Sequence, residues 1–163
     1  MDTAIHPPQS ITKSFLTDYR IFLGGSIEMG KAVEWQQEFI TTINTVLSGQ
    51  PNVSYTFYNP RRKDWDSTLV QSFEEAQFYQ QVNWELDALE KATHIVMYLQ
   101  PGTLSPISLL ELGLYARSGK LMVVSPEGFW RKGNVDIVCS KYGVLQFESL
   151  DAVTTYIINK IIS

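Results

Sequence analysis

The strongest constraint in this 163-residue chain is an alternation: five short apolar runs, each followed by a stretch with helical spacing. The runs are Arg20 to Gly24, Val53 to Tyr58, Ile95 to Leu99, Lys120 to Ser125 and Gly143 to Phe147. They are rich in β-branched and aromatic residues and bounded by Gly, Pro, Asn or Ser, which predicts strands. Between them, apolar residues recur at spacings of three and four, which predicts helices. The inward stripes are expected to be Ala32, Trp35, Phe39, Ile43 and Val46; then Tyr79, Val82, Leu86 and Leu89; then Ile107, Leu110 and Leu114. A short helix over Val135 to Lys141 and a last one with Leu150, Val153, Ile157 and Ile161 inward complete the set. Ser72-Phe73-Glu74-Glu75 has capping-box spacing and is expected to start the second helix.

Strands alternating with helices imply an α/β fold with a parallel sheet covered on both faces. The default is a single-domain, doubly wound, flavodoxin- or Rossmann-like arrangement of five strands in the order 2-1-3-4-5. Its ligand crevice lies at the carboxyl ends of the strands, where the order reverses. That places the loop from Gly25 to Gly30 opposite the loop from Gln100 to Ser105. Residues 1–18 read as a lead-in, disordered or loosely docked, and residues 19–163 as the domain. The start of the chain lacks the basic and apolar segments of a secretory signal, and no apolar run is long enough for a membrane span. The lone Cys139 fits a reducing compartment. A cytoplasmic protein is expected.

Net charge narrows the partners. At −4 the chain has no basic excess to neutralise phosphates along a duplex, so no nucleic acid polymer and no membrane is expected as partner. Single nucleosides remain open. No metal or cofactor set stands out, since His6 and His94 share no ligand spacing and no P-loop or G-x-S-x-G motif is present.

The stretch from His94 to Lys120 holds the most informative carboxylate. A strand, a loop with Pro101 and Gly102, and a helix opened by Ser105-Pro106 bring Glu111 onto an apolar helical stripe. One reading makes Glu111 a nucleophile or base, its ionised form favoured by the helix N-terminus. The other makes it the far half of a capping box begun by Ser108. Glu85 borders the stripe of the preceding helix, either as a general acid or as a boundary residue with its head in water. Gly24-Gly25-Ser26 has the look of a sugar- or phosphate-cradling turn, although Glu28 beside it counts against phosphate. The run Asn59 to Asp66 offers Trp65 for stacking on a base and Asp64 or Asn59 for hydrogen bonds, or else is a solvated loop. The loop Phe129-Trp130-Arg131 has the exposed aromatics of an interface.

These pieces together resemble the nucleoside 2-deoxyribosyltransferase superfamily, in its branch of short single-domain proteins. The matching segments are Ile21 to Ile27, Tyr58 to Arg62, Trp84-Glu85-Leu86, and Ser105 through Glu111-Leu112-Gly113. The E-L-G piece with its upstream Ser is the most specific, and the glycine turn the least. The resemblance implies that Glu111 is the nucleophile. It implies that Glu85, where the family usually has Asp, assists catalysis. Ser105 stands where transferases have Asp and related deoxynucleotide N-hydrolases have Ser. Phe22 stands where an aromatic, often Tyr, meets the substrate. Gly25, Ser26, Asn59 and Arg61 lie in the matching segments and, with Asp64 and Trp65 from the run after the second strand, complete the expected substrate site. The family closes each site with a loop from a neighbouring subunit, for which Phe129 to Asn134 is the candidate, with Asn134 reaching across.

The implied partners are a 2′-deoxynucleoside and a free nucleobase, with no cofactor, in a homo-oligomer with shared sites. The implied activity is base exchange with retention through a glycosyl ester on Glu111. Two alternatives stand beside it. One is an N-glycosidase of 2′-deoxynucleoside 5′-monophosphates, with Arg61 or Arg62 holding the phosphate. The other is a catalytically silent nucleotide-binding or sensing module.

Overall fold

A computed structural model describes residues 3–27, 32–62 and 64–163. The elements in chain order are β1 (Ala4–Ile5), a 3-10 turn (Thr12–Leu16), β2 (Tyr19–Gly25), α1 (Trp35–Leu47), β3 (Tyr55–Tyr58) and α2 (Ala76–Lys91). Then come β4 (His94–Tyr98), α3 (Pro106–Tyr115), β5 (Leu121–Val124), α4 (Lys132–Tyr142), β6 (Leu145–Phe147) and α5 (Leu150–Ile162). The strands form one sheet in the order β1-β3-β2-β4-β5-β6, and every recorded pairing is parallel. The five expected strands stand in the expected order, and a sixth, β1, adds to one edge.

That sixth strand comes from the lead-in. Phe57 N donates to Thr3 O at 2.8 Å and Asn59 N to Ile5 O at 3.0 Å, so β1 covers an edge of β3 that would otherwise be unpaired. Trp84 Nε1 donates to Gln9 O at 2.8 Å, and the buried Ser14 hydroxyl meets the Tyr58 hydroxyl at 2.6 Å. The expectation of a loose lead-in is therefore corrected. Two residues of strand are too short for periodicity to show, and their partners lie some fifty residues away in sequence.

Along the central strands, side chains alternate between two cores. Phe22, Ile95, Met97 and Val123 join one core with Trp84 and Ala88 of α2, Leu112 of α3, and Val135 and Cys139 of α4. Ile21, Leu23, Val96, Met122 and Val124 join the other, with Trp35, Phe39 and Ile43 of α1 and Val153 and Ile157 of α5.

The expected stripes need correction on three helices. On α1, Trp35, Phe39 and Ile43 are inward but Val46 is exposed, and Ile40 and Leu47 are buried instead. α2 begins at Ala76, with Glu75 as its N-cap; Ser72 lies in the preceding turn. Its buried residues are Gln81, Trp84, Ala88 and Leu89, while Tyr79 and Leu86 face outward. On α3, Ile107, Leu110 and Leu114 are 60%, 60% and 59% exposed. The inward face is Ser108, Glu111 and Leu112, followed by half-buried Tyr115. The physical reason is common to all three. Where apolar residues occupy more than one side of a helix, spacing gives a period but not a phase. α4 also starts earlier than expected, at Lys132, so Gly133 and Asn134 are helical.

Candidate active site

Two loops meet at the carboxyl end of the sheet. Gly25 pairs with Tyr98 across β2 and β4, with φ +120. A Cβ there would meet the carbonyl oxygen of Tyr98, so only glycine allows this approach. Ser26 N donates to Tyr98 O at 2.8 Å, and Gln100 N donates to Ser26 Oγ at 2.8 Å. The Ser26 hydroxyl also touches Thr103 Oγ1 at 2.8 Å and Ser105 Oγ at 2.7 Å, and the latter two are 2.9 Å apart. Thr103 Oγ1 donates to Gln100 O at 2.8 Å. All three hydroxyl residues are buried. The turn therefore binds the loop after β4, and the backbone N–H of Ser26 is already taken. Glu28 and Gly30, the rest of the expected turn, lie outside the described residues.

Ser105 is the N-cap residue of α3, but its side chain makes no capping hydrogen bond. It has φ 48 and ψ 50, the left-handed region that non-glycine residues seldom occupy. This corrects the expectation of a serine cap: the hydroxyl turns into the Ser26–Thr103 cluster. Because α3 starts at Pro106, Ser108 lies within the helix, and the capping-box reading of Glu111 falls away.

Glu111 is 8% exposed on the inward face of α3. Burial first, and then the negative charge of Glu85, push its pKa up to about 8. The expected help from the helix N-terminus does not prevail. Glu111 is the sixth residue of α3, past the first turn in which the dipole acts. Glu85 on α2 is pushed up to about 7 by burial, against the opposing effect of a hydrogen bond from Gln81. Gln81 Nε2 donates to Glu85 Oε1 at 2.6 Å and to Pro60 O at 3.1 Å. Burial raises both carboxyls, and the charge of Glu85 raises Glu111 further, so Glu111 favours its protonated form near neutral pH. A site with one carboxylate and one carboxylic acid has an anion for attack and a hydrogen for donation.

The other expected residues fall into two groups. Phe22 is 1% exposed, part of the core beneath the site. Asn59 is buried and its Oδ1 accepts from Arg61 N at 3.0 Å, which shapes the loop. The Arg61 guanidinium reaches Gln36 Oε1 at 3.2 Å, Val33 O at 2.9 Å, Ala32 O at 3.2 Å and the Glu34 carboxylate at 3.6 Å. It thus ties the loop after β3 to the start of α1. Arg62 pairs with Asp64 at 2.8 Å, and the Asp64 carboxylate is exposed. Trp65 is half-buried. Asn134 is exposed on α4, while Phe129 is buried and Trp130 Nε1 donates to Leu104 O at 2.9 Å. Glu85 lies near enough for its charge to act on Glu111, and Ser26 is bound to Ser105.

Sequence reasoning missed Thr103 and Gln81. Gln81 was visible as the residue four before Glu85, hence on the same helical face. Thr103 gave no such signal, since its partners come from β2. Two grooves lie away from the carboxylates. One, of about 150 Å³, is between α1 and α5 and includes Trp35, Glu38 and Asp151. The other, of about 350 Å³, runs along the outer side of α2 with Phe73, Tyr79 and Leu86.

The sequence model of the family described as nucleoside 2-deoxyribosyltransferase like matches residues 18–129, from the start of β2 to Phe129. The chain belongs to that family. The match contains Glu85, Ser105 and Glu111, whereas Asn134 lies beyond it. Among solved structures, a conserved protein from Enterococcus faecalis V583 superposes with a TM-score of 0.60 at 8% identity, over 87% of this chain and 98% of its own. This likeness is one of fold. The Clostridium botulinum CMP N-glycosidase BcmB is a more distant neighbour, with a TM-score of 0.46 at 15% identity, over 85% of this chain and 97% of its own. No curated protein matches the chain in sequence.

Proposed function

We propose that this member of the nucleoside 2-deoxyribosyltransferase-like family exchanges the nucleobase of a 2′-deoxynucleoside, with Glu111 as nucleophile and Glu85 as proton donor. The observation that carries the reading is the placement of the carboxyls: Glu111 is buried on the inward face of α3, and the charge of half-buried Glu85 on α2 acts on it. Glu111 is the weaker acid of the two, so the reactive form is the one in which Glu111 has lost its proton and Glu85 holds one. In that form Glu111 attacks C1′, the C1′–N bond breaks, and its electron pair stays on the departing base. Glu85 gives that base a proton. The deoxyribosyl group is then esterified to Glu111 with its configuration inverted. An incoming base attacks C1′ from the vacated side, returns its proton to Glu85 and frees the Glu111 carboxylate. Two inversions give net retention. The absence of a 2′-hydroxyl lowers the cost of the oxocarbenium-like state. Ser26 and Ser105, bound to one another, hold the rim of the site next to α3.

A specific residue favours a second reading. Ser105 stands where the resemblance puts Ser in deoxynucleotide N-hydrolases, and water in place of the second base makes the reaction a hydrolysis. Against a 5′-phosphate, the Arg61 and Arg62 guanidiniums are both engaged within the chain. The proposal includes a homo-oligomer. Helix α3 turns three large apolar side chains outward, and a helix apolar on both sides needs a cover on both. A cytoplasmic setting belongs to the same reading. Among the described residues, no helix is long and apolar enough to cross a membrane.

The test is direct. The protein is incubated with deoxyinosine plus adenine and, separately, with dGMP, and products are separated by chromatography. Deoxyadenosine supports exchange, and free guanine supports hydrolysis. Neither product, with calorimetric binding of a nucleoside, supports a binding module. Light scattering on a size-exclusion column reads the oligomer: Leu110→Glu is expected to shift it to monomer, and an unchanged monomer in both proteins removes the shared-site arrangement.

A further inference from the structure

Gln81 is an amide bonded directly to Glu85, and its hydrogen bonds are unusually constrained. It is buried, and its Nε2 serves two acceptors, Pro60 O at 3.1 Å and Glu85 Oε1 at 2.6 Å. Its Oε1 is buried with no hydrogen-bond partner. Turning the amide over would leave Pro60 O facing another oxygen, so the amide has one orientation. In that orientation it presents only hydrogen to Glu85.

From this geometry we propose that Gln81 is a positioning residue that keeps the Glu85 proton on Oε2 and aims it at the leaving base. Oε1 is already accepting a short hydrogen bond, and a carbonyl oxygen is a stronger acceptor than a carboxyl hydroxyl, so in the acid form Oε1 is the carbonyl oxygen. The proton therefore resides on Oε2. When the glycosidic bond breaks, the Oε2–H bond breaks and the proton passes to the base nitrogen, leaving a Glu85 carboxylate. The bond from Gln81 stabilises that carboxylate, so the same contact that orients the acid also eases its ionisation. Other charges do not take over this task. On α3, Glu111 feels the charge of Glu85, and Tyr115 feels that of Glu111, its hydroxyl pushed up by burial and by the charges of Glu90 and Glu111. The nearby cations are spent elsewhere, Arg61 on Gln36 and the backbone at 32–33, and Arg62 on Asp64. The effect on Glu85 named here is a lowering by Gln81 against a larger raising by burial.

The inference rests on Glu85 being the proton donor, and one arm of its test stands apart from activity. The full chain is labelled with ¹³C at the glutamate carboxyls, and the resonances are assigned with Glu85→Gln and Glu111→Gln. In Gln81→Met, Glu85 is expected to titrate higher than in the natural protein by roughly half a unit to one unit. Gln81→Leu, which likewise removes the N–H donor without adding charge, is expected to move it the same way and serves if the Met variant does not fold. A Glu85 titration unmoved in whichever variant folds overturns the proposal. In the activity arm, Gln81→Met is expected to lower kcat roughly three- to tenfold with KM little changed, and to move the basic limb of the kcat profile to higher pH. A uniform loss across pH overturns the proposal, because a merely structural defect behaves that way. If the natural protein turns over no nucleoside, the reading of function fails while the titration still decides the role of Gln81.

Discussion

The two faces of the sheet are built to opposite plans. On one, α1 and α5 bury Trp35, Phe39, Ile43, Val153 and Ile157. On the other, α2 and α3 turn Gln81, Ser108 and Glu111 inward and leave Tyr79, Leu86, Ile107, Leu110 and Leu114 exposed. The first face spends its apolar residues on the core. The second carries buried carboxyls that folding alone does not favour and apolar surface that water does not favour. The contrast separates a face that only builds core from a face that builds core and also carries the carboxyls to which the proposed chemistry is assigned.

The largest expected effect tests the chemical face. Glu111→Ala is expected to lower kcat by about 1,000-fold or more, on the order of 4 kcal/mol, with the circular dichroism of the fold retained. Near-normal turnover removes Glu111 from the role of nucleophile. On the other face, Ile157→Ala deletes a buried side chain and is expected to destabilise by roughly 2–5 kcal/mol in urea unfolding, while kcat per folded molecule stays near normal. A large fall in kcat there would break the division between faces.

A third comparison uses pH. The pKa of Glu111 is raised on folding, from near 4.5 to about 8, so between these values the folded chain holds more protons than the unfolded one. Its penalty on stability is absent at acid pH and grows as pH rises through that window. Glu111→Gln is expected to be more stable than the natural protein at pH 8 by roughly 1–3 kcal/mol, and nearly equal to it at pH 4. An equal gain at both pH values would show that Glu111 is not a buried acid in solution. The smallest effect belongs to the loop cluster. Ser26→Ala removes one hydroxyl and leaves Gln100 N without its acceptor, an expected loss of about 1 kcal/mol by thermal melting. A neutral result would mean that water replaces the hydroxyl.

Much of the architecture was legible because strand and helix patterns are local. The runs at Ile21 to Gly24, Tyr55 to Tyr58 and Ile95 to Tyr98 become β2, β3 and β4, and their order follows from parallel crossovers. Of the site, Glu111 was legible as a carboxylate among leucines, and Ser105 by its place before Pro106. The role of the Ser105 side chain was not, since a cap and a buried hydroxyl cluster look alike until Ser26 is beside it. Arg61 looked like a phosphate ligand because its partners at 32–36 are a long way back in the chain.

What the sequence determined by itself was period: where strands and helices run, and that a carboxylate sits early in the helix after β4. Only the tertiary structure decided phase and partnership. It chose Ser108, Glu111 and Leu112 over Ile107, Leu110 and Leu114 as the inward face of α3, set Ala4–Ile5 against β3, and gave Gln81 to Glu85. Local spacing is a property of one segment. Which side of that segment meets the sheet is settled by the shape and polarity of neighbours that arrive from elsewhere in the chain.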